Sequence, residues 1–236
     1  MIKRAMSEAV GTAFLLATVV GSGIMGERLA GGNVAIALLA NTLATGAGLV
    51  ALILTFGPIG GAHFNPVVTI ADAWEGNRPW SEVPTYIAAQ LGGALLGVAV
   101  AHGMFGEPLF AASQHARSGP AQLLSEFVAT FGLLSVIWGV SRRSAQFTPF
   151  AVGAYITAAY WFTSSTSFAN PAVTLARSLS NTFSGIRPVD VPGFVGAQIA
   201  GALAATALFR FLVPPGNIKA AVPLVDPPTP EKARAS

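Results

Sequence analysis

Two Asn-Pro dipeptides are the residues of this chain best suited to orient a polar solute. They begin the triplets Asn65-Pro66-Val67 and Asn170-Pro171-Ala172, which lie 105 positions apart and both continue into a Val-Thr pair. Asn is a favoured helix N-cap and Pro is well placed at the first helical position, so each dipeptide predicts a helix start. A helix N-terminus carries unpaired N–H groups and partial positive charge. Such a terminus can donate hydrogen bonds to a neutral polar molecule, and it repels cations.

Three titratable residues lie within or beside long uncharged stretches: Glu8, His63 and Glu126. Intramembrane carboxylates can couple transport to protons, or they can serve as acceptors in the structure. Glu8 and Glu126 each follow a Ser at equivalent places near a predicted helix start, which favours the structural role. The absence of Cys, of a metal-ligand cluster and of a Ser/His pairing signature predicts no metal, no cofactor and no enzymatic activity.

The elements that hold these residues must lie in a membrane. Only 10% of the 236 residues are charged, against about 25% in a soluble domain. The net charge of +3 is small and scattered, which argues against a nucleic-acid partner. Four charge-free intervals have 15 to 24 residues, near the roughly 20 needed for one span. The other two, 29–71 and 144–176, are too long for one span and contain the Asn-Pro triplets. Each therefore predicts a full span followed by a short re-entrant segment.

The order of these intervals indicates an internal repeat. A Ser-Glu pair, an Asn-Pro triplet and a Gln recur in that order, at Gln90 in the first half and Gln198 in the second. Three spans in each half give the halves opposite orientations in the membrane. We expect an all-α membrane protein with six transmembrane helices and two re-entrant half-helices. It forms a single channel domain over 1–213, with inverted repeats at about 5–104 and 122–213.

Lys and Arg are concentrated on one side of this layout, nine against three, which predicts that both termini are cytoplasmic. The tail 214–236 is rich in Pro and polar residues, and we expect it to be cytoplasmic and disordered. In halves of opposite orientation, the two half-helices meet N-terminus to N-terminus near the membrane midplane. Irregular backbone at that depth must line a watery cavity or be buried in protein. The sequence therefore predicts a polar path through the centre.

The paired triplets, the segment 60–66 that leads into the first one, the repeated Ser-Glu and the six-span layout resemble the aquaporin, or major intrinsic protein, family. The resemblance implies a homotetramer in membrane lipid, with one pore per subunit and passive transport of water or small neutral solutes. It implies that Glu8 and Glu126 accept hydrogen bonds from the backbone of the re-entrant loops. It also implies a pore-lining role for His63, for which a packed histidine is the alternative.

The chain departs from this family at the outer constriction. Val173 stands where family members usually carry Arg, directly after the second triplet. By spacing from the triplets, the second-helix filter position is Thr45, the fifth-helix position is Ala158, and the loop position is Ser167. Tyr155 or Ala159 replaces Ala158 if the spacing contains a gap. These residues predict a wide filter without aromatic rings or charge.

A wide filter of small side chains should pass solutes larger than water. The pattern resembles bacterial aquaglyceroporins associated with arsenic resistance, which implies glycerol-like polyols or arsenite-type metalloid hydroxides, with water, across a bacterial inner membrane. A water-selective aquaporin is the first alternative, and a secondary transporter is the second.

Arg177 lies four residues after Val173, on the same face of the predicted half-helix. Side chains lean toward the helix N-terminus, so the guanidinium can point back to the pore mouth. There it would partly replace the missing Arg in rejecting cations. The alternative is that Arg177 pairs with loop carbonyls or extends outward.

Overall fold

The computed structural model describes residues 1–214, and the expected tail lies, except for its first residue, outside this range. The described chain contains six long helices and two short ones. They are α1 (Ile2–Leu29), α2 (Val34–Gly60), α3 (Pro66–Trp74), α4 (Val83–Phe105), α5 (Pro120–Ser144), α6 (Thr148–Phe162), α7 (Pro171–Arg177) and α8 (Val191–Leu212).

Five stretches of helix are long and apolar enough to cross a membrane, and one of them, Pro120–Phe162, contains both α5 and α6. Its 43 residues would extend roughly 64 Å as one helix, about twice the hydrocarbon thickness. The stretch instead folds back on itself. The Tyr155 hydroxyl on α6 donates to the Ala129 carbonyl on α5, two groups that a single straight helix would hold far apart. The five stretches therefore give six crossings.

Equivalent glycines lie at close helix contacts in the two halves. A Cβ added to Gly93 on α4 would lie 2.2 Å from the Ala9 carbonyl oxygen on α1. A Cβ added to Gly201 on α8 would lie 2.5 Å from the Phe127 carbonyl oxygen on α5. Both pairs of helices thus approach through a residue without a side chain, as is common in membrane helices. The internal repeat read from the sequence is a repeat of packing contacts as well.

The half-helices α3 and α7 begin at the predicted caps. The Asn65 side chain accepts a hydrogen bond from the Val67 amide, and that of Asn170 accepts from the Ala172 and Val173 amides. The loops before them repeat one backbone pattern of left-handed residues near φ +50°, at Ala62, Phe64, Ser167 and Ala169. The two half-helices contact each other, and each also packs against α4 and α8. Their N-termini therefore meet in the interior of the helix bundle.

Candidate functional site: a central cavity between the half-helices

A cavity of about 340 Å³ lies along the two half-helices and is lined by residues from both halves of the chain. One end of the lining contains His63, Asp72 and Asn77. The middle contains both capping asparagines. The other end contains polar and charged side chains of the second half together with one from α2: Thr45, Tyr160, Ser167 and Arg177.

The capping asparagines bind each other's loops across the centre. Asn65 Nδ2 donates to the Ala169 carbonyl at 2.8 Å, and Asn170 Nδ2 donates to the Phe64 carbonyl at 2.7 Å. Each side-chain oxygen is occupied by its own helix cap. An amide has two N–H donors, so one on each Asn remains for a molecule in the cavity. Pro66, Val67 and Ala172 are buried beside the asparagines, whereas Pro171 is partly exposed, and none of the four lines the cavity.

The two buried carboxylates hold the re-entrant loops. Glu8 accepts hydrogen bonds from the amides of His63 and Phe64, at 2.9 and 2.7 Å. Glu126 does the same for Phe168 and Ala169, at 2.9 Å each. Both oxygens of each carboxylate are therefore engaged by backbone N–H groups. This arrangement favours the structural role over proton coupling.

Two glutamines complete these networks, although the sequence marks them only as landmarks of the repeat. Gln90 donates to Glu8 and to Thr69 Oγ1, and Gln198 donates to Glu126 and to Thr174 Oγ1. Each glutamine thus ties a loop carboxylate to the half-helix that follows the loop. They could be found in the sequence because each half contains a Ser-Glu pair, an Asn-Pro triplet and a Gln in the same order.

His63 lies at the end of the cavity nearest Asp72. Its Nδ1 is 3.1 Å from Thr69 Oγ1, and its Nε2 is 3.5 Å from Asp72 Oδ2. Thr69 donates its own hydroxyl proton to the Asn65 carbonyl, so Nδ1 is the donor in that contact. Asp72 is also paired with Arg78, whose Nε is 3.3 Å from the same carboxylate oxygen. The charges at this mouth are therefore matched.

At the opposite end, Thr45, Ser167 and Val173 line the cavity as expected, but Ala158 does not. The prediction for Ala158 is wrong, because its side chain is exposed on the outer surface of α6. Eight residues, 163–170, separate α6 from α7, against five, 61–65, between α2 and α3. Irregular backbone does not preserve the helical period, so counting back through this loop misplaces the helix register.

The residue of α6 that faces this constriction is Tyr160. It is buried, lines the cavity and places its hydroxyl 3.4 Å from Thr45 Oγ1. Neither alternative position serves instead, since Tyr155 binds α5 and Ala159 lies outside the lining. The prediction of a filter without aromatic rings is therefore wrong, because the ring of Tyr160 lies at this end of the cavity.

The sequence leaves two roles open for Arg177, at the pore mouth or in a contact with loop carbonyls, and the structure shows features of both. Its Nε donates to the Ser184 carbonyl of the following loop, and its side chain is 2% exposed and lines the cavity. The guanidinium carbon is 3.4 Å from the ring centroid of Phe168. Within residues 1–214, Nη1 has no hydrogen-bond partner. The constriction therefore contains a charged group, contrary to the filter expected from the sequence.

Known proteins are similar to this chain in sequence and in architecture. The family model described as major intrinsic protein matches residues 1–167. The aquaglyceroporin AqpS of Rhizobium meliloti is 51% identical over 99% of this chain and 97% of its own length. The rice aquaporin NIP1-3 is 33% identical over 89% of this chain and 74% of its own.

The crystal structure of the aquaglyceroporin from Plasmodium falciparum has the same fold, with a TM-score of 0.72 at 20% identity, over 90% of this chain and 97% of that one. This match confirms the expected fold of six crossings and two re-entrant half-helices. The relatives are membrane channels, so the prediction that the chain is not an enzyme is confirmed as well. The chain belongs to the major intrinsic protein family and is a multi-pass membrane channel for small solutes.

Proposed function

We propose that this channel passes small neutral polyhydroxylated solutes, such as glycerol and metalloid hydroxides of the arsenite type, together with water. Transport is passive, and its direction follows the solute gradient. The observation that carries the proposal is Val173, an apolar residue that lines the cavity directly after the second triplet. With Thr45 across from it, the outer constriction is wider and less polar than one with Arg and Phe at these positions. The 51% identity to a protein named as an aquaglyceroporin supports the same class.

A water-selective channel is the second candidate, and Tyr160 and Arg177 favour it. Both line the same end of the cavity, and a ring and a guanidinium narrow a pore and add polar contacts. The two candidates differ in whether Arg177, anchored to Ser184, leaves room beside Val173 for a carbon backbone. A direct measurement of solute permeability separates them.

Further features of this proposal are the homotetramer, the bacterial inner membrane and the cytoplasmic location of both termini. Large apolar side chains on the outer faces of the helices suit lipid or a neighbouring subunit, as at Phe14, Leu43 and Phe150. The rhizobial relative supports a bacterial membrane.

The test is stopped-flow light scattering of proteoliposomes that contain the purified protein, with water, glycerol and arsenite measured on one preparation. The proposal expects glycerol and arsenite uptake well above that of empty liposomes, beside ready water flux. High water permeability with glycerol and arsenite uptake equal to that of empty liposomes would establish the water-selective alternative.

A further inference from the structure

Two guanidinium groups lie against Phe168 at the outer end of the cavity. The guanidinium carbon of Arg177 is 3.4 Å from the ring centroid, and that of Arg117 is 5.0 Å away. Arg117 belongs to the segment between α4 and α5 and is 8% exposed. Arg177 lines the cavity and Arg117 does not. Arg177 can therefore contact a solute in the cavity, whereas Arg117 lies behind the lining.

Arg117 ties together the two loops that flank α7. Its Nη1 donates to the Ser165 carbonyl before the half-helix at 3.1 Å, and its Nε donates to the Gly185 carbonyl after it at 2.8 Å. Gly185 adjoins Ser184, whose carbonyl accepts the hydrogen bond from Arg177 Nε. The position of the Arg177 guanidinium thus depends on a peptide segment that Arg117 holds.

The charge of these two groups is only partly offset by nearby carboxylates. Within residues 1–214, neither guanidinium has a carboxylate oxygen within the 4.0 Å of a salt bridge. In the same range Glu126, the carboxylate in the adjacent network, accepts hydrogen bonds only from neutral loop amides and Gln198, so its charge offsets part of that of Arg117. One carboxylate beside two guanidinium groups leaves a net positive charge. Burial lowers the pKa of Arg117 only to about 10, so it remains charged at neutral pH.

The other mouth of the cavity differs at the equivalent positions. Asp72 and Arg177 each lie seven residues after their capping Asn, and His63 and Phe168 each lie two residues before it. At the first mouth, Arg78 pairs with Asp72 and the charges cancel. At the second, Arg117 adds a charge of the same sign as Arg177. The repeat has therefore diverged into a balanced mouth and a positive one.

We propose that Arg177 and Arg117 form the cation barrier of this pore, with Arg177 facing the solute and Arg117 positioning it through the two flanking loops. A neutral solute accepts a hydrogen bond from the unpaired Nη1 of Arg177, whereas a cation meets a net positive charge in a space of low dielectric. The barrier is thus displaced four residues from Val173. The inference rests on the proposed passive channel, but not on glycerol or metalloid hydroxides being the solutes.

The test measures K⁺ conductance and water permeability on the same proteoliposomes. In Arg177→Gln we expect K⁺ conductance to rise by about tenfold or more. Water permeability of the same vesicles reports whether the pore is open. Arg177→Lys keeps the charge and should stay tight to K⁺. The matched control is Arg28→Gln, an outer arginine that is paired with Glu107 and lies outside the cavity lining, and it should not leak.

The positioning role of Arg117 has its own readout. Arg117→Gln should leak K⁺, and Arg117→Lys should leak nearly as much, because one ammonium group cannot replace the fork that spans two carbonyls. The double variant Arg117→Gln/Arg177→Gln should leak no more than Arg177→Gln alone. Independent, multiplying leaks would overturn the positioning role.

An Arg177→Gln channel that conducts water but stays tight to K⁺ would overturn the barrier. If this variant does not assemble, Arg177→Met takes its place as the neutral side chain. Water flux reports an open pore in every sample, so a failure of glycerol transport is read separately and leaves the barrier intact.

Discussion

In the proposed pore, Val173 sets the width beside the second triplet and Arg177 supplies the positive charge, two roles that a single Arg directly after the triplet would combine. Val173 leaves apolar surface next to the capping Asn170, and Arg177 enters the same cavity from the next turn of α7. A guanidinium that is anchored to Ser184 and stacked on Phe168 has a fixed position. Width beside the triplet and charge at the mouth can therefore vary separately in this pore.

This separation predicts the effect of Val173→Arg. A second guanidinium would occupy the space that Val173 leaves open, close to that of Arg177. We expect glycerol permeability to fall by about tenfold or more while water permeability changes by less than about threefold, because size decides passage through a neutral pore. The measurement is stopped-flow uptake, with Val173→Ile as the apolar control. Wild-type glycerol flux in Val173→Arg would contradict the proposed role of Val173.

Residues defined by local or repeated chemistry could be predicted from the sequence. Capping by Asn65 and Asn170 depends on the next two or three residues, and the roles of Glu8 and Glu126 follow from their equivalent places in the repeat. Tyr160 could not be predicted in this way, because its register depends on the irregular loop that separates α6 from α7. Arg117 was missed since its partners, Ser165 and Gly185, are brought together only by the tertiary fold.

Among the elements, the paired helices α1–α4 and α5–α8 depend on contacts with little tolerance for volume. The Ala9 carbonyl occupies the place of a side chain at Gly93, whereas the neighbouring Gly92 has no atom within 4 Å of a Cβ. Small residues in a membrane sequence predict such contacts in general. They do not tell which glycine faces a partner, because that depends on how each helix is rotated.

Gly93 and Gly92 therefore form a matched pair for testing helix packing. In Gly93→Ala the methyl group must move α1 and α4 apart, at a cost of about 1–3 kcal/mol typical of overpacking. We expect a lower temperature of thermal aggregation in detergent and reduced yield of folded protein. Gly92→Ala should behave like wild type. Equal stability of the two variants would show that the helices separate at no cost.

On the scale of the whole molecule, charged side chains collect in two rims. Arg4, Arg78 and Arg142 pair with acidic residues at one end of the bundle, and Arg28 and Arg187 do so at the other. These sets match the two sides inferred from the Lys and Arg count. The inverted repeat could be predicted because the duplicated segments still share side chains. The different charge balance of the two mouths could not, since it arises from contacts between segments distant in the sequence.

The proposed orientation can be tested cleanly because the chain contains no Cys. Ser118, between α4 and α5, and Gln146, between α5 and α6, are both exposed and lie on opposite sides of α5. The excess of Lys and Arg on one side predicts that Gln146 is cytoplasmic. In spheroplasts, a membrane-impermeant maleimide should label Ser118→Cys, and it should label Gln146→Cys only after permeabilisation. The opposite labelling would place both termini outside, and Arg177 would then guard the cytoplasmic mouth.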